Sequence, residues 1–448
     1  MIIRKGRAKL QRIRSVSAVN ETIDGEGIVR VDGRVVFVPG MMRGEEGDIR
    51  ITSEEKRYAR GKLESLSVSS PDREKPRCPY YESCGGCSLL HMTREHELFL
   101  KKERVRETLS RIGGFQDGTY TLTDTVGGER EGYRNKAELI YQKDSGFGYV
   151  GKDGGFAPVS SCRLLPLEMN RILAEPVFKI LPNLEGAVIR TNKRGEILLV
   201  LRTRDAFSLP DEFLRENRIT SLWQLIPADK PVHAMDGKLY HLSGDRSLQE
   251  EVCGYVFDIS PRAFFQINRN IAEKLYRRAV SLAELDKGDL AIDAYCGVGA
   301  IGMTAAQCAG RVFGIELIPE ACNDARKSAK NNGIDNISFL SGRCEDLLPK
   351  DPQLKKARVV FLDPPRKGCG KNLLAAIGDA EPERVVYISC DPATLARDLA
   401  ILQSRGYILD FAEPYDMFPG TGHVETVCCL YHQKKDFISV PYEPKNAD

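Results

Sequence analysis

Between residues 290 and 388 five short apolar runs recur, separated by stretches with helical spacing, and this alternation restricts the fold more than any other feature of the chain. The runs are 290–292, 312–315, 337–340, 359–362 and 385–388. Short strands without polar interruption are buried on both faces, as in a parallel sheet covered by helices. The pattern predicts a doubly wound α/β domain over 261–448. A helix over 271–285 introduces it, with Ile271, Leu275, Ala279 and Leu282 on one face. Two later runs, 407–411 and 424–431, leave no room for a helix between them and predict an antiparallel hairpin at the sheet edge.

The chain ahead of this domain reads differently. Residues 16–66 are short apolar pieces punctuated by Gly25, Gly27, Gly33 and Gly40, a small β-barrel pattern. Pro71 and Pro76 lie in a polar linker, a charged helix is expected over 96–111, and 133–260 is mostly strand. The expected division is therefore a barrel (1–66), a central mostly β region (67–260) and the α/β domain (261–448). The net charge of +2 hides an asymmetry: residues 1–62 carry 14 Lys or Arg against 9 Asp or Glu. Arg4, Lys5, Arg7, Lys9, Arg12 and Arg14 precede the first acid, a cluster suited to phosphates or to a solvated terminus. No apolar run is long enough to span a bilayer, and no apolar core follows the N-terminal charges, so a cytoplasmic protein without membrane contact is expected.

In open α/β sheets ligands bind beyond the carboxyl ends of the strands. Asp293, Glu316, Asp363 and Cys390 each fall at or just after an apolar run, which brings four polar side chains to one crevice. Asp293 is followed by a Gly-rich turn (Ala294-Tyr295-Cys296-Gly297-Val298-Gly299), and Glu316 comes 23 residues after Asp293. A carboxylate there can accept from both ribose hydroxyls, so the pair points to a nucleoside. A glycine turn serving helix packing is the plainer reading. Cys390, between Ser389 and the turn-forming Asp391-Pro392, is a candidate nucleophile. By composition alone it would pass for an apolar filler. Glu425, in Gly422-His423-Val424-Glu425-Thr426, is a candidate carboxylate base.

Thirteen cysteines are many for a reducing compartment. Cys78, Cys84 and Cys87 form a compact triplet with Gly85-Gly86 inside it, and Cys162 is the candidate fourth ligand. A clustered triplet with a distant fourth suits an iron-sulfur cluster, and zinc held by four thiolates stays open.

These residues carry a resemblance. The chain resembles the bacterial class I RNA uracil-5-methyltransferases, and within them the large-subunit ribosomal RNA enzymes with a TRAM domain and an iron-sulfur cluster. The matching motifs are Phe264-Phe265-Gln266-Ile267-Asn268, the Asp293–Gly299 turn, Asp363-Pro364-Pro365-Arg366-Lys367-Gly368, Ser389-Cys390-Asp391-Pro392 and His423-Val424-Glu425-Thr426. The resemblance implies Cys390 as nucleophile and Glu425 as proton acceptor. It implies S-adenosyl-L-methionine held by Gln266, Tyr295, Glu316 and Asp363, and a [4Fe-4S] cluster on Cys78, Cys84, Cys87 and Cys162. It makes the barrel an OB-like TRAM domain and the α/β part a Rossmann-like methyltransferase domain. The sequence departs from the family pattern at Gly342-Arg343-Cys344-Glu345-Asp346, where a polar Asn or Asp near the adenine is expected.

The expected partner is RNA, ribosomal in preference to transfer RNA, bound by a monomer. Arg134 is expected to hold a flipped nucleotide. Two other functions remain open. An amino-methyltransferase also uses Asp-Pro-Pro, normally followed by an aromatic residue where this chain has Arg366. An iron-sulfur RNA-binding module without catalysis would need neither the Gly-rich turn nor Glu316.

Overall fold

The computed structural model describes residues 11–230 and 232–433, so Arg4, Lys5, Arg7 and Lys9 of the basic run lie outside the described residues. The chain builds two compact units, and each is discontinuous in sequence. One unit runs up to Val105 and takes in Thr123–Leu275 and Pro414–Glu425. The other takes Arg106–Leu122, Tyr276–Glu413 and the chain from Thr426.

The first unit opens with a closed five-stranded barrel formed by Arg12–Glu21, Glu26–Val31, Arg34–Pro39, Glu46–Glu54 and Tyr58–Val68. Alternate residues of these strands fill it: Val29, Val36, Val38, Ile49, Ile51 and Ala59 make one apolar cluster. Val31 pairs with Arg34 across a two-residue turn, in which Asp32 and Gly33 both take positive φ. That is the mirror-image turn whose twist matches a hairpin, and Asp-Gly is among the few dipeptides that adopt it cheaply.

After the barrel the helix Arg94–Gly113 begins, and a seven-stranded sheet follows. Its strand Ile197–Arg202 pairs antiparallel with Gly186–Thr191 and parallel with Ile219–Pro227. The unbroken apolar run there has a simple cause. Ile197, Leu199 and Leu201 enter one cluster with Met169, Ile172 and Phe213, while Leu198 and Val200 enter a second with Trp223 and Leu225. Both faces of the strand are covered, so neither needs polar residues.

The second unit is the expected α/β domain. Its sheet runs in the order Ile337–Ser341, Arg311–Glu316, Leu290–Ala294, Val359–Leu362, Arg384–Ser389, Glu425–His432, Tyr407–Tyr415, Thr121–Leu122. The first five strands are parallel, and Glu425–His432 is antiparallel to Arg384–Ser389. Helices Ala300–Ala306, Pro319–Asn331, Lys371–Ala380 and Pro392–Gln403 connect them. Two of these begin with proline, whose missing N–H costs nothing in a first turn. The last two long strands are neighbours as the sequence suggests, but they are not the edge. The later one is inserted beside Arg384–Ser389, and Thr121–Leu122 adds itself parallel to Tyr407–Tyr415. A two-residue strand has no periodicity to betray it. Among the described residues no helix is long and apolar enough to cross a membrane.

Leu199 is fully buried between strands and helices. Leu199→Ala is expected to cost about 2–5 kcal/mol of unfolding free energy, the usual range for a truncated core leucine. Denaturant titration of the full chain measures it. A loss well under 1 kcal/mol would mean that the central sheet does not unfold with the transition observed.

Candidate active site

In the second unit the parallel strands end in acids. Asp293, on Leu290–Ala294, is 1% exposed. Its Oδ2 accepts from the Gly302 amide at 2.7 Å, and its Oδ1 is buried with no hydrogen-bond partner. Glu316 closes the next strand. Its two oxygens accept from the amides of Gly297 (2.9 Å) and Ile318 (2.7 Å), which fixes the carboxylate beneath the Gly-rich turn. Asp363 follows Val359–Leu362. Burial, then the nearby Asp363 and Glu316, push the Asp293 carboxyl up to about 8; burial pushes Asp363 up to about 7. The protein has gathered carboxyl groups where water is scarce, so that two of them hold protons, and it has left a buried oxygen unused. Such a place favours a ligand with positive charge and hydroxyls to donate.

The turn between Asp293 and helix Ala300–Ala306 is tight. Tyr295, Gly297 and Gly299 all have positive φ. A side chain at Gly299 would stand 2.8 Å from the Phe339 ring, and one at Gly302 would stand 2.9 Å from Asp293 Oδ2. Tyr295 pays for its strained backbone by position. Burial, then the Cys369 thiol to which it is hydrogen-bonded, push its phenol well above the ordinary value. The Asp363 turn is held from the other side. Helix Pro392–Gln403 offers Asp398, whose Oδ2 accepts from the Cys369 amide (2.8 Å) and the Tyr387 hydroxyl (2.6 Å). Arg397 donates to the Lys367 carbonyl at 3.0 Å. Cys369, Tyr387 and Asp398 carried no sequence signal, because they act by burial and not by motif.

Cys390 directly follows Arg384–Ser389 and is half-buried. Asp391 caps the helix behind it, accepting from the amides of Ala393 (3.0 Å) and Thr394 (2.9 Å), and Ser389 Oγ braces Asp391. Glu425 is 4% exposed and opens Glu425–His432, whose next residue, Thr426, is the partner of Ser389. Gln266 is buried in the first unit, where its carbonyl accepts from Asn135 Nδ2 at 3.1 Å.

The four sequence-predicted cysteines meet in the first unit. Cys78, Cys84, Cys87 and Cys162 line one cavity of about 380 Å³, together with Tyr81, Arg134, Glu138 and Tyr149. Local hydrogen bonds bend the triplet: the Tyr81 amide bonds the Cys78 carbonyl, and the Gly85 amide bonds the Val150 carbonyl. A Cβ at Gly85 would come within 2.8 Å of that carbonyl. Cys162 is presented by Asn170, which accepts from the Cys162 amide (2.7 Å) and donates to its carbonyl (3.0 Å). Burial, then Cys162, Cys84 and Cys78, push the Cys87 thiol up to about 12. A cationic centre at this cavity would relieve the crowding that the three other thiols impose on Cys87. Among the described residues no three of these side chain types meet as ligands of one ion. Arg134 Nε donates to the Lys136 carbonyl, and its side chain lines the cysteine cavity.

Comparison with known proteins decides the family. A protein of Clostridium tetani described as an uncharacterized RNA methyltransferase is 35% identical over 440 residues, covering 92% of this chain and 95% of its own. A Clostridium acetobutylicum protein of the same description is 36% identical, with 91% and 94% covered. The family model for tRNA (uracil-5-)-methyltransferase matches residues 245–434, and the TRAM domain model matches 15–63. The chain belongs to the RNA uracil-5-methyltransferases. Among solved structures, the Pyrococcus abyssi tRNA (uracil-54, C5)-methyltransferase in complex with S-adenosyl-L-homocysteine superposes with a TM-score of 0.73 at 26% identity. It covers 93% of this chain and 100% of its own. The closed barrel of this family member is thus its TRAM domain, and its α/β unit the Rossmann-like methyltransferase domain.

The raised Asp293 carboxyl has a consequence for stability. The folded protein keeps a proton up to about pH 8 that the unfolded chain releases near its ordinary value of 3.8. The folded state binds more protons across that window, so stability should fall as pH rises through it and level off above. Asp293→Asn keeps an acceptor for Gly302 and should flatten the slope. Urea midpoints of unliganded protein at several pH values check this; an unchanged slope would assign the proton to another group.

Proposed function

We propose that the chain transfers a methyl group from S-adenosyl-L-methionine to carbon 5 of a uracil in RNA, with Cys390 as nucleophile and Glu425 as base. The observation that carries the reading is the register of two strands. Ser389 and Thr426 are partners across the sheet, and Cys390 and Glu425 are their respective chain neighbours. A thiolate and a carboxylate from these positions suit the two tasks that carbon-5 methylation requires.

Carbon 5 of uracil is a weak nucleophile. The Cys390 thiolate adds to carbon 6, the carbon 5–carbon 6 π electrons move toward oxygen 4, and carbon 5 becomes enolate-like. S-adenosyl-L-methionine held in the crevice would supply an electrophilic methyl group, which carbon 5 takes as the methyl–sulfur bond breaks and its electron pair stays on sulfur, leaving S-adenosyl-L-homocysteine. Glu425 then removes the proton from carbon 5, the double bond re-forms, and the Cys390 thiolate is expelled. Asp293, Asp363 and Glu316 suit the methyl donor: the sulfonium and ammonium are cations, and the ribose hydroxyls are donors. Tyr295 belongs with these acids in the second unit, and Gln266, which the family resemblance also assigns to the donor, lies in the first. The base must leave its stack for carbon 6 to be reached.

For the substrate we favour large-subunit ribosomal RNA. The TRAM barrel and the four-cysteine cavity support it, through the resemblance to the ribosomal enzymes that carry both. The second reading is transfer RNA, which the Pyrococcus abyssi protein's name favours. Mapping 5-methyluracil in both RNA classes from a deletion strain separates them. Cys78, Cys84, Cys87 and Cys162 would hold the [4Fe-4S] cluster, a centre whose positive iron offsets the four thiolates.

Two outcomes test the chemistry. Cys390→Ala should abolish turnover while leaving donor binding intact. Glu425→Gln should add and methylate, then stall, so that a covalent protein–RNA complex accumulates with ordinary uracil RNA on denaturing gels. Normal turnover by Glu425→Gln would give the proton to another group. Anaerobically purified protein should contain about four irons per chain if the site holds the cubane cluster. Zinc without iron would overturn that assignment.

A further inference from the structure

Residues 416–423 form a strap that most parts of the first unit grip. Its Asp416 takes ion pairs from Lys101 and Arg94 on the helix Arg94–Gly113. Asn268 Nδ2 reaches the Met417 carbonyl at 3.4 Å, and the Tyr133 hydroxyl donates to the Pro419 carbonyl at 3.3 Å. Lys101 Nζ donates to the Phe418 carbonyl at 3.3 Å. A Cβ on Gly422 would stand 2.4 Å from the Ile23 carbonyl of the barrel. The tightest grip is at Gly420. Its amide donates to Glu97 Oε1 at 2.6 Å, and its carbonyl accepts from the amides of both Ser88 and Leu89 at 2.9 Å. Those two residues directly follow Cys87. Gly420 has φ +81°, and a Cβ there would stand 2.8 Å from Leu90 Cδ2 and 3.7 Å from Cys87 Sγ. The wall of the cysteine cavity is therefore packed against the strap without room for a methyl group.

From this contact we infer that the strap is the part by which the four-cysteine site positions Glu425, five residues beyond Gly420 in the same unit. Gly420, Leu90 and the Ser88–Leu89 amides are positioning groups. They touch no substrate, and they set the approach of the carboxylate that takes the carbon-5 proton. The inference rests on the role proposed for Glu425. It predicts that disturbing the cavity wall impairs proton removal more than nucleophilic addition, because the strap runs along the chain directly into Glu425.

The test uses the full chain in four forms: unaltered, Gly420→Ala, Leu90→Ala and Glu425→Gln. Addition is read as the rate of covalent capture by 5-fluorouracil RNA with S-adenosyl-L-methionine, which needs no proton removal. Release is read as the lifetime of the covalent complex with ordinary uracil RNA. Hydrogen exchange of the amides at 416–424 reads the strap directly, with and without bound iron. Gly420→Ala should leave addition within about twofold and lengthen the complex lifetime on the order of ten- to hundredfold, the scale of a misplacement near 1 Å. Leu90→Ala, which only removes packing, should move release in the same direction by less. Exchange at 416–424 should rise in both variants and on loss of iron. Equal slowing of addition and release would reduce Gly420 to a general structural role and overturn the inference. So would unchanged release with unchanged exchange. If Glu425→Gln itself releases normally, the catalytic assignment fails first, and a Gly420 effect confined to exchange would show the strap to be only structural.

Discussion

Two carboxylates without solvent access hold the first unit together. The side chains of Glu97, Lys101 and Asp416 are fully buried, with Arg94 and Arg130 closing the group from its rim. Taking such charges out of water is expensive, and their mutual attraction barely offsets it unless every lone pair is used. Here Glu97 also accepts the Gly420 amide. A hydrophobic replacement could match the stability of such a group, but it would not specify which backbone atom sits against which charge. Removing one partner would leave an uncompensated buried charge, at a cost of about 3–5 kcal/mol. The arrangement joins pieces of chain separated by more than 300 residues, since |i−j| is 323 for Glu97 and Gly420. The cysteine loop, the barrel and the segment ahead of Glu425 depend on that junction for their register.

The second unit solves an opposite electrostatic problem. Asp293 and Asp363 are crowded and dry, and both hold protons well above the ordinary carboxylate range. Backbone amides satisfy Glu316 and one oxygen of Asp293, and the other oxygen waits. The first unit neutralises its buried charge internally and becomes rigid. The second leaves its charge for a ligand to complete, which is how a binding crevice differs from a structural core.

The features legible in the sequence were those that act locally. The five parallel strands announced themselves because burial on both faces removes polar residues from the run, as at residues 359–362. The cysteine triplet was legible by spacing, and Cys162 was put beside it as a candidate that the family resemblance supports. Asp293, Glu316, Asp363 and Cys390 were placed because a strand end is a definite position. What was illegible depends on distant contacts. Arg134 was expected to hold a nucleotide, and nothing local in the sequence showed that its side chain also lines the cysteine cavity. Gly420 carried no sequence signal, and its positive φ together with the close approach of Leu90 is what favours glycine there. The Thr121–Leu122 strand and the insertion of Glu425–His432 are decided by sheet completion, for which no local pattern exists.

The place of that last long strand bears on how the protein is made. Tyr407–Tyr415 leaves the ribosome before Glu425–His432, yet in the finished sheet the later strand lies between it and Arg384–Ser389. Until the later strand emerges, Arg384–Ser389 has an open edge and its eventual neighbour is missing. A nascent chain at that stage presents unpaired backbone of the kind that recruits foreign strands. The same geometry delays the meeting of Ser389 with Thr426 until the later strand has been made. A polypeptide that stopped short of Thr426 would therefore lack the pairing from which the proposed nucleophile and base project.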